Sequence, residues 1–240
     1  MTTMSQMTQT HAQTQTQSQV QDQTQCIINI EGNIGCGKST FIARLKEEFK
    51  NNTEICVLDE PVEQWLQIKD ERGNILQHYY RDQKAYAFAF QMMAYISRLA
   101  ILKRALDAGY KYIITERCLE TDKNIFCQML FDDGFINKIE FQIYNKWFDE
   151  FITKHPYKTI YLRCDPKIAH ERVMIRSRME ETISIEYLQK CHDYHDKWIL
   201  ETDNEFEVID ANIDMNQNPE IIEKWINIVK KTIYIEFIDL

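Results

Sequence analysis

The chain has 240 residues, 44% of them hydrophobic and 27% charged, ordinary values for one α/β domain with a buried core. Its formal net charge of −9 argues against a nucleic-acid coat, which needs a basic face to release counterions. A nucleotide site remains open, because a few placed cations can act inside an acidic surface. No unbroken apolar run approaches the roughly 18–20 residues that span a bilayer, so neither a nucleic-acid nor a membrane partner is expected.

Residues 1–25 are a Gln/Thr/Ser tract with almost no apolar side chains. Such a segment buries too little surface to offset its ordering entropy, and a disordered tail is expected. It carries no Lys or Arg, unlike a mitochondrial presequence, and no apolar centre, unlike a secretory signal.

The folded domain is expected over 26–240. Short β-branched or aromatic runs at Cys26–Glu31, Ile55–Glu60, Tyr112–Glu116, Thr159–Cys164 and Phe206–Asp210 predict buried strands. Between and after them, helical spacing covers Ser39–Lys50, Arg81–Asp107, Lys138–Thr153, Pro166–Arg176, Ser184–Thr202 and Pro219–Lys230. Strands alternating with helices predict a five-stranded parallel sheet with helices on both faces. The seven cysteines include no CxxC pair and predict free thiols in a reducing compartment, the cytoplasm. Cys36 is the one candidate for a functional thiol, because it sits at a helix N-terminus.

Directly after the first strand runs Gly32-Asn33-Ile34-Gly35-Cys36-Gly37-Lys38-Ser39-Thr40, which fits GxxxxGK[ST] in a strand–loop–helix context. Glycines let successive backbone N–H groups turn inward around phosphates, and the helix dipole adds to their field. Lys38 supplies a point charge to the phosphates, and the Ser39 hydroxyl is a ligand for Mg²⁺. This loop specifies a nucleotide, not a reaction.

Further segments narrow the reaction. Asp59-Glu60-Pro61-Val62-Glu63-Gln64-Trp65 follows the second strand, where a carboxylate faces the ligand crevice of an α/β sheet. Glu116-Arg117-Cys118 follows the third, with Asp122 and Phe126 beyond it; Arg172, Arg176 and Arg178 run into Glu180-Glu181. In combination, Ile30-Glu-Gly-Asn-Ile-Gly, Glu60-Pro-Val-x-x-Trp65, Glu116-Arg117 and Arg176-x-Arg178-x-Glu180-Glu181 resemble the deoxynucleoside kinases, in particular their deoxycytidine/deoxyguanosine/deoxyadenosine branch. The likeness runs from about Cys26 to the end.

The resemblance implies a P-loop kinase fold with an Arg-rich lid. The implied activity is transfer of the γ-phosphoryl of ATP to the 5′-hydroxyl of a deoxynucleoside in nucleotide salvage. Glu60 would be the general base. Glu116 would hold Mg²⁺ with Ser39, or take the base role itself. Arg117 would clamp the acceptor end, and Arg172, Arg176 and Arg178 would close over the transferred phosphoryl. Tyr80 and Glu181 would hold the sugar 3′-hydroxyl; Phe90 and Phe126 would sandwich the base, with Trp65 as a wall. Ile213, Asp214 and Met215 would lie beside the adenine of the donor, and a homodimer would form through Arg81–Asp107 and Lys138–Thr153.

Gln91 and Arg98 lie seven apart on one predicted helix and share a face, with Asp122 expected opposite Arg98. An Arg–Asp pair beside an amide suits an exocyclic amine next to a ring acceptor, so a purine or cytosine is expected, deoxyadenosine slightly ahead and thymidine poor. Ala94 leaves room for the larger base. Two departures from the family stand out: Cys118 where a serine is usual, and a shortened lid. Two other readings compete. A thymidylate kinase would want basic residues near 60–65, where Glu63 stands. A regulatory GTPase would want a guanine-reading Asn-Lys-x-Asp, of which Asn137-Lys138-Ile139-Glu140 is a near miss. Trp147 and Trp225 are expected to be packing residues.

Overall fold

The computed structural model describes residues 25–152, 155–176, 183–200, 206–215 and 217–234. The expected tail up to residue 24, and Arg178 and Glu181 of the expected lid, lie outside the described residues. Strand β1 (Cys26–Glu31) is buried along its whole length, with parallel β5 (Tyr112–Glu116) on one side and β6 (Tyr157–Arg163) on the other. Adding β2 (Ile55–Leu58) and β7 (Phe206–Asp210) gives an all-parallel sheet in the order β2-β5-β1-β6-β7. Three strands match the sequence reading end to end; β6 starts two residues before the expected Thr159 and stops one before Cys164, and β2 stops two residues early, where Asp59 and Glu60 turn out of the sheet.

Alternation along the strands splits the core in two. Ile28 and Ile30 pack with Phe41, Ile42 and Leu45 of α1 (Lys38–Phe49) and with Trp225 and Val229 of α10 (Pro219–Tyr234). Ile27 and Ile113 face the opposite way, among residues of the helices on the other face. There, α2 (Val62–Leu66) leads through the small β3 (Lys69–Asp70) and β4 (Gly73–Asn74) hairpin into α3 (Ile75–Arg81) and α4 (Gln83–Asp107). The sequence reading ran α3's last residue and α4 together. The backbone breaks at Asp82 (φ −147°, ψ 82°), whose carboxylate accepts from Ala85 N as the N-cap of α4. By length and mean hydropathy (1.3), α4 is the one described helix that could cross a membrane. An unbroken-run count misses it. Here it is a core helix, with Ala87, Phe90, Ala94, Tyr95 and Leu102 buried.

After β5 the chain forms a turn of helix α5 (Leu119–Thr121), a π-helical turn at Asp122–Cys127 and α6 (Gln128–Asp132), none of which periodicity had shown. Next comes α7 (Lys138–Phe151), started by a capping box: Asn137 Oδ1 accepts from Ile139 N and Glu140 N, and Glu140 Oε2 accepts from Asn137 N. The near miss to a guanine-reading motif is thus a helix cap. Helices α8 (Pro166–Arg176) and α9 (Ile185–Leu200) follow β6. Trp225 packs edge-on against Phe41, as expected of a core residue. Trp147 does not: it is 44% exposed and stacks on Phe151 along the outer stripe of α7.

Candidate active site

The loop from β1 to α1 takes left-handed φ at Gly35 (82°) and Gly37 (101°). At Gly35 a Cβ would lie 2.3 Å from Ala169 O, so both the dihedral and the packing against α8 demand glycine. Lys38 Nζ donates to Gly32 O (2.9 Å) and Asn33 O (2.7 Å), folded over the loop it would turn toward a phosphate. Burial pushes the Lys38 ammonium pKa down, and Arg117 pushes the same way. Asn33 points away from the loop interior, donating to Leu188 O of α9 (2.8 Å). Cys36 is fully buried, which removes it as a surface nucleophile.

Three carboxylates and two arginines meet at the carboxyl ends of β2 and β5. Ser39 Oγ donates to Glu116 Oε1 at 2.7 Å, a hydroxyl and a carboxylate side by side. Arg98 of α4 grips Asp122 through Nε (2.9 Å) and Nη2 (3.3 Å), Glu116 O through Nη1 (2.9 Å) and Glu60 Oε1 through Nη2 (3.1 Å). Arg117 Nε lies 3.4 Å from the same Glu60 oxygen, while its Nη1 donates to Gly32 O (2.8 Å). Burial pushes the Glu60 carboxyl up, but Arg117, Arg98 and Lys38 together outweigh it and hold it down at about 2. Asp122 is pushed up by burial and opposed by Arg98; burial alone would lower the Arg98 guanidinium, but Asp122 and Glu60 raise it. With both Asp122 oxygens accepting from Arg98, the pair stands as ions. Arg117 is the only described non-glycine residue at positive φ (67°), a conformation costing about 1–2 kcal/mol and typical of strained functional turns.

These groups line one side of a cleft of about 790 Å³, within the size range of small-molecule sites. Its lining takes in the loop residues Ile34, Gly35, Gly37, Lys38, Ser39 and Thr40 with Arg172, Arg176, Asp214 and Met215, and also Glu60, Trp65, Tyr80, Phe90, Gln91, Arg98, Glu116, Arg117, Asp122 and Phe126. Of the expected donor-site residues, Ile213 stays outside this lining and is 40% exposed. Gly32, Asn33 and Cys36 sit beneath the loop instead of on its surface. Arg172 donates to Ala211 O (2.8 Å) and Asn212 O (3.1 Å), so it braces the loop after β7. Phe90 lies edge-on to Trp65 (5.4 Å) and tilted on Tyr79 (4.7 Å); Phe126 carries the Arg117 guanidinium on its face (5.0 Å).

A deoxynucleoside kinase family model matches residues 28–234. The chain belongs to the deoxynucleoside kinase family. Among its relatives are a probable deoxycytidine kinase of fowlpox virus, 38% identical over 82% of this chain and 80% of that one, and deoxycytidine kinase 1 of Xenopus laevis, 34% identical over 85% and 89%. The human deoxycytidine kinase is 33% identical over 72% of this chain and 75% of its own.

The chain is therefore a nucleoside kinase, a transferase, and the family implies ATP as its phosphoryl donor. The lining of this kinase includes residues the sequence reading missed. Tyr79 and Tyr187 both face the cleft and meet through their hydroxyls at 3.2 Å; Val62, Glu63 and Leu76 complete the wall. Tyr79 adjoins the expected Tyr80 but lies before the helix predicted from Arg81, in a stretch given no element. Tyr187 gave no signal, because its partner is 108 residues away. Cys118, standing where the family has serine, caps α5: Thr121 N donates to its Sγ at 3.4 Å, and burial raises its thiol pKa far above the usual value.

Proposed function

We propose that this kinase phosphorylates the 5′-hydroxyl of a deoxynucleoside whose base carries an exocyclic amine beside a ring acceptor, cytosine or adenine, as a step of nucleotide salvage. The observation carrying this reading is Gln91, which is 2% exposed, lines the cleft and leaves its Oε1 without a partner. A buried amide oxygen without a donor is costly; an amine supplies the donor while the amide N–H₂ meets the ring nitrogen. Thymine offers a carbonyl there and leaves the oxygen unpaired. Arg98 already donates to Glu60, Glu116 and Asp122, which counts against its meeting a guanine carbonyl. Ala94 leaves room for adenine, but the relatives named deoxycytidine kinases favour the smaller base, and we put deoxycytidine first and deoxyadenosine second. Initial rates with the four deoxynucleosides and ATP test this: thymidine preferred over both would overturn it.

In the chemistry we propose, Glu60 stays ionised, orients the 5′-hydroxyl and takes its proton late, as a loose phosphoryl-transfer transition state allows. Arg117 and Arg98 hold that carboxylate in place. Lys38 and Arg176 spread the charge of the transferred group; Arg172, held on Ala211 O and Asn212 O, has that role by resemblance alone, as do Arg178 and Glu181 theirs. Tyr80 is read as the 3′-hydroxyl contact and Phe90 and Phe126 as the base platform. Ser39 and Glu116 offer the hard oxygens that Mg²⁺ prefers; two protein ligands suit a cation held mainly by phosphates and water, where it would neutralise the triphosphate.

We also propose a homodimer. On α7 the residues Ile139, Ile143, Trp147 and Phe151, each four apart, are all exposed, Ile139 to 69%, and Ile96 is exposed on α4, which α7 packs against through Tyr95. An apolar stripe of this kind marks an interface. Trp147→Glu should convert a dimer to monomers by sedimentation; a wild-type monomer would refute this. None of the seven cysteines is in a disulfide, which supports a reducing compartment, and we assign the cytoplasm on that ground.

A further inference from the structure

Glu31 is fully buried and has no part in the chemistry above. It ends β1, on the same face as Ile27 and so toward the cleft side of the sheet. We infer that Glu31 is a positioning residue for Arg117: it holds the Arg117–Cys118 peptide in the turn that aims the guanidinium at Glu60.

The grip has three points, all from the end of β1. The β1–β5 register runs to Ile30 opposite Glu116, and Arg117 N continues it by donating to Ile30 O at 3.2 Å. Arg117 then adopts φ 67°, which swings the next N–H out of the ladder and back toward β1. Glu31 Oε1 accepts that Cys118 N–H at 2.7 Å. Finally, Gly32 O accepts from the Arg117 side chain at 2.8 Å. Cys118 is buried, so without Glu31 its N–H would be a buried donor with no acceptor, and the left-handed turn would lose its anchor.

Charge points the same way. Asp122 spends both oxygens on Arg98, Glu116 accepts from Ser39, and Glu60 has to stay available to the substrate hydroxyl. After Glu60, Glu31 is the carboxylate that acts most on Arg117. Its Oε2 makes no hydrogen bond of good geometry, although the Cys118 and Thr121 side chains lie near enough to favour the ionised carboxyl. Burial pushes its carboxyl pKa up, with Arg117 the first force opposing that. A group kept for packing alone would be better replaced by an apolar or amide side chain, because a buried carboxylate with an orphan oxygen destabilises the fold.

The inference rests on the clamping role proposed for Arg117, so the experiment separates the two. Glu31→Leu, Arg117→Lys and the double variant are compared by kcat, by KM for ATP and deoxynucleoside, and by melting temperature. Glu31→Leu removes both the charge and the acceptor for Cys118 N–H, whereas a glutamine would keep the acceptor. The leucine change should lower kcat about 10–100-fold, the scale of a misplaced catalytic group, while KM for ATP stays within about twofold. In the Arg117→Lys background the same change should cost little more, since both act as one unit. An unchanged kcat in Glu31→Leu, or an equal loss in both backgrounds, overturns the inference. So does a lower melting temperature with kcat per folded molecule intact. An unchanged kcat in Arg117→Lys overturns the clamp itself. Should Glu31→Leu fail to fold, Glu31→Asp keeps the charge but draws the oxygen away from Cys118 N–H; kcat should still fall, and an intact kcat would refute the role.

Discussion

Glu60→Gln tests the site most directly, because the structure fixes the expected sign of two separate readouts. The gap between 4.5 and about 2 corresponds to about 3 kcal/mol favouring the ionised form in the fold. Glutamine keeps the shape and removes that charge between Arg98 and Arg117. At neutral pH the variant should therefore lose up to about 3 kcal/mol, roughly 5–10 °C in melting temperature for a chain of this size. The carboxyl pKa is depressed in the fold, so its stabilisation is fully present above about 4.5 and lost as pH falls toward 2. The difference between wild type and variant should shrink to about half by pH 3. Turnover should fall about 10²–10⁴-fold from loss of the base. The assay is initial-rate phosphorylation with folded protein confirmed by its unfolding transition. A folded Glu60→Gln enzyme turning over within about threefold of wild type would refute the base role, whatever its stability.

Four further outcomes are expected. Gly35→Ala, whose Cβ would press on Ala169 O at 2.3 Å with φ at 82°, should abolish ATP binding measured by calorimetry, and near-normal affinity would mean the loop can remodel. Arg98→Met with Asp122→Ala should raise the ratio of thymidine to deoxycytidine turnover; because Arg98 also holds Glu60, the rate with every base should fall, and an unchanged ratio would sink the pocket reading. Cys118→Ser puts a stronger acceptor at the α5 cap and should stabilise by about 0.5–1 kcal/mol in chemical denaturation, whereas a loss would show that the site needs sulfur's bulk. A chain beginning at Gln25 should keep full activity and melting temperature, because the residues before it lack apolar anchors. Gln25 itself, counted with the tail in the sequence reading, donates to Leu106 O and Tyr110 O and should be kept.

Much of this protein was legible in one dimension. The phosphate loop, the strands and the main helices depend on contacts between near neighbours: β-branched runs for buried strands, i to i+4 spacing for helices, glycines for a loop that must turn inward. Glu60, Gln91, Arg98 and Asp122 were also found from sequence, but through a family resemblance and a seven-residue spacing. What the sequence could not show are the features made by chain ends meeting in space. The break at Asp82 follows from where α3 and α4 dock, since both segments carry helical spacing. The left-handed Arg117 needs acceptors on β1, and Glu31 reaches Cys118 across 87 residues. Tyr187 meets Tyr79 only because α9 returns over the cleft. Trp147 looked like core from its type alone, yet faces outward, because which face of α7 meets α4 is settled by packing. Local propensity chooses the elements; the carboxylate pKa, the strained turn and the exposed stripe exist only once those elements share a boundary, since each is an interaction between groups far apart along the chain.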